Sequence, residues 1–281
     1  MTTTFPTIPD SPAFTSTRDA LHAYSRILGD WAAHCRTRRK HWWHGSVRLA
    51  LHGLSSGVIC HSVDFQLDLD VRDSQFRVQT ANGSCLVQAL HGQTPASLAE
   101  AARDFLGANG IAPEHMPAPR EDAAHARTYV DFSPEHARTI GYVWRAVLTA
   151  LERLRNELRE ETSPLQLWPH HFDISLLWLP GELIHGQDPD NEEYADKQMN
   201  FGFTLGDTGI GEPYFYITAH PLPDALQATP LPEGSYWNTS SFTGAALLYK
   251  TLLRQSDPQT YLLELWRIMV HAGRQHLLAG N

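Results

Sequence analysis

Apolar residues recur every three to four positions early in the chain, at Leu21, Tyr24, Leu28, Trp31 and Cys35. That period predicts a first helix capped by Ser16 or Thr17. Residues 1–15, rich in Thr and Pro, are expected to form an extended arm. From Trp43 the period falls to two. Val47, Leu49 and Leu51 share one face, while Trp42, His44, Ser46 and Arg48 share the other, as on a strand with one wet side. DFQLDLDV alternates in the same way, with Phe65, Leu67, Leu69 and Val71 inside and Asp64, Gln66, Asp68 and Asp70 outside. A tight turn at Asp73-Ser74 sets Asp70 opposite Arg77. A two-residue turn at Asn82-Gly83 sets Val78 opposite Val87 and Phe76 opposite Ala89. The result is an antiparallel meander.

Thr94, Pro95 and Gly110 bracket a second helix, as cap, first helical residue and stop. Residues 111–132 have no period and read as a connection. Ser133-Pro134-Glu135 opens a long helix to about Arg159, with Ile140, Trp144, Val147, Leu151, Leu154 and Leu158 as its stripe. SPLQLWPHHFDISLLWL begins a second series of strands, QMNFGFTLG and PYFYITA continue it, and a short strand is expected near Tyr236-Trp237. Residues 181–197 read as a loop. Asp257-Pro258 caps a last helix.

This order predicts an α+β fold of two similar helix–antiparallel strands–helix halves, related by a pseudo-two-fold duplication. The expected division is an arm over 1–15, a first half over 16–132 and a second over 133–281. Setting His44 on His171 superposes the inward faces of 41–90 and 166–219, and it brings Ser46 and Arg48 onto Asp173 and Ser175.

Of 281 residues, 42% are hydrophobic and 19% charged, a globular balance. The net charge of −9 argues against a nucleic-acid partner, which needs a basic face. The cluster Arg36, Arg38, Arg39 and Lys40 reads as a solvated helix end. No apolar run approaches the ~20 residues of a bilayer span, and the N-terminus lacks a signal pattern. Three scattered cysteines, Cys35, Cys60 and Cys85, fit reduced thiols and a cytoplasmic setting.

Chemistry concentrates where tryptophan meets histidine. His171-Phe172-Asp173, read on a strand, sends both polar side chains to one face, roughly 7 Å apart at Cα. With His44, or with His220, they make a His/His/Asp set suited to non-haem iron, zinc or another divalent metal. The same residues can equally be a structural hydrogen-bonded pair. Trp42 and Trp168 beside histidines suit the wall of a pocket, whereas Trp43 shares an apolar face and reads as core. Gly206 to Gly211 leads into a strand and reads as a hairpin turn rather than a phosphate loop. No nucleophile elbow is present.

HWWH at 41–44, the DFQLDLDV strand, Ser163-Pro164 leading into LWPHHFD, and Glu212-Pro213 before Tyr214-Phe215-Tyr216 occur in an order that resembles the uncharacterised bacterial family called domain of unknown function 5996. The resemblance runs from about Phe5 to the last helix. It implies a bacterial, cytosolic protein and supplies no catalytic residue.

The expected function is binding of a small molecule between the halves, at Trp42, His44, Ser46, Arg48, Trp168, His170, His171 and Asp173. The alternatives are a metal-dependent enzyme built on His44, His171 and Asp173, and an interaction module whose exposed aromatic patch meets a partner or a second copy.

Overall fold

The computed structural model describes residues 5–191 and 193–278. Helices and antiparallel strands are mixed along the chain, an α+β fold. Two compact units form: Ile8–Arg145 with Leu167–Phe172, and the residues up to Thr7 with Ala146–Gln166 and everything from Asp173 on.

In the first unit, α1 (Pro12–Cys35) begins earlier than its apolar stripe suggests. Ser11 is the cap, its Oγ accepting from the Phe14 N–H, and Pro12 follows at the first helical position. The supposed arm therefore already contains a helical turn. Tyr24 is buried and donates its hydroxyl to the Leu90 carbonyl. Five antiparallel strands follow in chain order: β1 (Val47–Ala50), β2 (Gly53–Ser55), β3 (Phe65–Asp70), β4 (Gln75–Thr80) and β5 (Cys85–Ala89).

Three strand expectations are corrected. The strand expected over 42–48 starts only at Val47, because Lys40–Gly45 coils into a 3-10 turn. It also ends early: Ala50 pairs with Gly53, and Leu51 is 85% exposed at the hairpin tip instead of inside. A Cβ at Gly53 would strike the Leu69 carbonyl, so only glycine fits there. Second, the connection between β4 and β5 has three residues, Ala81–Gly83, with Gly83 at φ 90. Val78 then faces Leu86, and Val87 turns outward, 47% exposed. A one-residue slip flips every side chain of a strand. Third, Arg77 lies opposite Asp68 rather than Asp70, a two-residue shift that keeps the face.

The aspartates of β3 are not a wet face. Asp68 and Asp70 are each 3% exposed. Buried carboxylates require partners. Asp70 accepts from the Arg72 and Asp73 N–H groups and lies 3.6 Å from the Arg77 guanidinium. Asp68 accepts from Gln66 and stands 3.5 Å from His52 Nε2.

Helix α2 (Pro95–Ala108) follows with the expected Thr94 cap, and Ser97 completes a capping box. The connection beyond it holds a 3-10 turn at Pro113–His115 and the short α3 (Ala123–Ala126), capped by Asp122. Helix α4 (Pro134–Glu157) starts in the first unit and ends in the second.

The second unit contains β6 (Glu161–Thr162), the start of β7 (Gln166–Trp168), β8 (Asp173–Leu179), β9 (Gln198–Thr204), β10 (Tyr214–His220), β11 (Ser235–Asn238) and β12 (Gly244–Leu248). The strand order is β8, β9, β10, β12, β11, all antiparallel. The short apolar run of β12 is a strand the sequence pattern did not indicate. Gly206 to Gly211 is the β9–β10 connection, as expected, tied by Asp207 to the N–H groups of Gly209 and Ile210. The remaining helices are α5 (Asp224–Gln227), α6 (Tyr249–Leu252) and α7 (Pro258–His276). Phe203, Phe215, Tyr249 and Trp266 form an aromatic core, with Phe203 and Phe215 ring centres 4.9 Å apart. No described helix is long and apolar enough to cross a membrane.

Candidate functional site

Two histidine-bearing turns of the first unit meet α1 at Gly29. A Cβ there would lie 2.8 Å from Pro169 Cγ and 3.4 Å from the Gly45 carbonyl oxygen. Glycine lets both turns approach the helix axis. Pro169 opens the turn 169–172, and Gly45 closes the 3-10 turn 40–45.

The turn after β7 breaks the strand expected through 169–175. Pro169 has no N–H for a ladder. The Trp168 carbonyl accepts from both His171 and Phe172, and Phe172 takes φ 60. His171 and Asp173 therefore do not occupy alternate positions of one strand, and the shared face expected for them is absent. Phe172 is buried against Trp144 and stacks on His22, ring centres 5.1 Å apart. His170 and His171 remain exposed, their rings 4.3 Å apart, and half-buried Trp168 packs 6.0 Å from His170.

The HWWH turn is strained. His41 and Trp42 have φ 55 and 56, a left-handed backbone that costs an ordinary residue roughly 1–2 kcal/mol. Such outliers persist where the surroundings over-determine them. Arg39 N–H donates to His44 Nδ1 at 3.1 Å, which makes that nitrogen the acceptor. Trp42 stacks on His44 at 5.5 Å, and the Arg38 guanidinium sits 4.9 Å over Trp42. Arg36 donates to the carbonyls of His44, Ser46 and Ser56. It is a buttress of the turn, not the solvated helix end expected from the basic run, and its spacing gave no hint of that.

The expected polar face of Trp42, His44, Ser46 and Arg48 does not form. His44 and Ser46 are buried, Trp42 and Arg48 exposed, because a turn rather than a strand carries the first three. Ser46 donates to the Trp43 carbonyl.

Asp173 belongs to the second unit, where it accepts the Tyr216 hydroxyl proton. His220, the other candidate ligand, packs against Tyr194 at 4.8 Å. Among the described residues, no three His, Cys, Asp or Glu side chains gather to hold a metal ion. The His44/His171/Asp173 ligand set rested on strand geometry that is absent.

Two residues the sequence pattern passed over join the histidines. His22 and Arg26 stand one turn apart on α1 and precede Gly29 on the same face. Burial, then Arg26, lowers the His22 pKa, while the carbonyls of His170 and Pro169 oppose the shift. Burial, then the charges of His171, His22 and Arg26, lowers the His170 pKa to about 4. The Arg26 guanidinium lies 3.3 Å from Asp122.

The chain belongs to the family of unknown function DUF5996, whose model matches residues 5–276. No curated protein and no solved structure matches it.

Proposed function

We propose that this family member binds a small anion, a carboxylate or a phosphate, on the surface where the two histidine turns meet α1. The observation that carries the reading is their convergence on Gly29. Both turns hold left-handed residues inside the tryptophan–histidine motifs, and strain of that kind clusters at functional sites. His170 and His171 offer exposed imidazoles beside Arg26, and Trp42 and Trp168 offer aromatic surface. Asp122 meets Arg26 from one side, and an anion would add hydrogen-bond acceptors for the Arg26 guanidinium and the imidazole N–H groups. His44 and Ser46 support the turn from beneath.

We also read the two units as products of a duplication. Each contains antiparallel strands flanked by helices, and His44 and His171 sit in the turns before β1 and β8. The last two strands of the second unit exchange places relative to chain order, so any common ancestor has diverged there.

The test is a titration of the imidazole NMR resonances with inorganic phosphate and with succinate. The His22, His170 and His171 signals should move saturably, and the His170 midpoint should rise as anion binds. His171→Ala and Arg26→Gln should abolish the saturable shift while the fold is kept. Absence of any saturable shift, or equal binding by the variants, removes the reading.

A further inference from the structure

We infer that the cleft between α1, α2 and residues 117–125 is a second binding site, built for a small organic cation. It encloses about 390 Å³, within the size range of small-molecule pockets. Ile27, Ala96, Ala99 and Pro119 give it an apolar floor.

The charged groups around the cleft differ in what they are already doing. Arg120 holds Asp30 through two hydrogen bonds of 2.6 Å. Arg103 donates to the Pro117 carbonyl. Arg120 is thus neutralised by Asp30, whereas Arg103 is held by a carbonyl and keeps its charge. Glu100 and Asp104 also line the cleft, one helical turn apart on α2. Neither has an ion pair or hydrogen bond among the described residues. With Asp30 and Arg120 paired, Glu100 and Asp104 stand against the single charge of Arg103, so the lining keeps a net negative charge.

His125 is the independent sign of a ligand. It is 6% exposed, lines the same cleft, and its imidazole has no hydrogen-bond partner among the described residues. Burial lowers its pKa, so at neutral pH the ring is uncharged and presents a lone pair. Its ring nitrogens are not sealed in the protein but open to the cleft, where a ligand can reach them. An ammonium or amidinium group meets all three needs: it donates to the imidazole and to both carboxylates while its carbon body covers the apolar floor. An anion would face Glu100 and Asp104 and could draw only on Arg103.

The experiment follows the His125 imidazole resonance and calorimetric heat with benzylamine and putrescine as probes and inorganic phosphate as the anionic control. At least one amine is expected to saturate in the millimolar range or below and to shift His125. Glu100→Gln with Asp104→Asn should weaken it by about tenfold or more, the loss of charge-assisted hydrogen bonds. These two side chains are exposed, so the melting temperature should be unchanged. His171→Ala should leave amine binding intact, which separates this cleft from the histidine turns. No saturable amine binding, amine binding indifferent to the double variant, or phosphate preferred over both amines would each overturn the inference.

Discussion

Tyr216 on β10 donates its hydroxyl to Asp173 on β8, passing over Gly202 on the strand between them. Tyr216 is half-buried, and burial followed by the Asp173 charge holds the phenol pKa well above the usual value. It therefore stays a donor at every physiological pH. A Cβ at Gly202 would overlap the Tyr216 ring. Tyr216→Phe should cost about 1.5–3 kcal/mol, as for a hydrogen bond to a charged group. Gly202→Ala should cost at least as much, since overpacking adds roughly 1–3 kcal/mol. The two should be non-additive in urea denaturation, because both remove one contact. Additive losses, or a Tyr216→Phe change below about 0.5 kcal/mol, would show that the bond contributes little.

Gly29→Ala sets two effects against each other. Alanine favours a helix over glycine by about 0.8–1 kcal/mol. The added methyl meets Pro169 at 2.8–3.0 Å, and a proline ring has little room to yield, so overpacking of about 1–3 kcal/mol should win. The variant should be less stable, and the His170, His171 and His44 resonances should move together. A stabilised protein with unmoved histidines would mean the turns do not depend on that contact.

Trp42→Gly should separate stability from binding. Relief of the left-handed backbone returns about 1–2 kcal/mol. Loss of the Arg38 contact and the His44 stack removes a similar amount, about 0.5–1.5 kcal/mol each. Stability should change by less than about 1 kcal/mol, while the anion response at the histidine turns is weakened. A large loss of stability instead would make Trp42 a structural residue.

Acid should loosen α7 in the second unit. Arg274 hydrogen-bonds Glu160 bidentately and holds its pKa at about 2, against 4.5 ordinarily; Arg267 does the same in direction for Glu157. A carboxylate with a depressed folded pKa binds fewer protons than in the unfolded chain. Its contribution is present above about pH 4.5 and is lost as pH falls toward about 2. Both pairs are partly exposed, so each is worth no more than about 1 kcal/mol. Arg274→Ala should return the Glu160 carboxyl titration, followed by NMR, to near 4.5. A midpoint left near 2 would assign the shift to the local backbone.

The sequence by itself determined the four long helices, α1, α2, α4 and α7, and where chemistry gathers. Thr94-Pro95, Ser133-Pro134 and Asp257-Pro258 cap their helices through contacts three residues long, so local order suffices. The Ser11-Pro12 start has the same form but lies more than a turn ahead of the apolar stripe that begins at Leu21. The strands were legible as elements, but their registers were not. The three-residue loop in place of two rests on Gly83 at φ 90, and the turn at Leu51-His52 is decided by how closely Gly53 meets Leu69 on β3. The tryptophan–histidine motifs were visible, yet only tertiary packing against Gly29 bent them into turns and brought His22 and Arg26 beside them. It also sent Asp173 to Tyr216, because a strand period cannot reveal a left-handed residue at Phe172 that ends it. Alternation records which side chains prefer water; where the backbone must leave the strand is set by the neighbours it packs against.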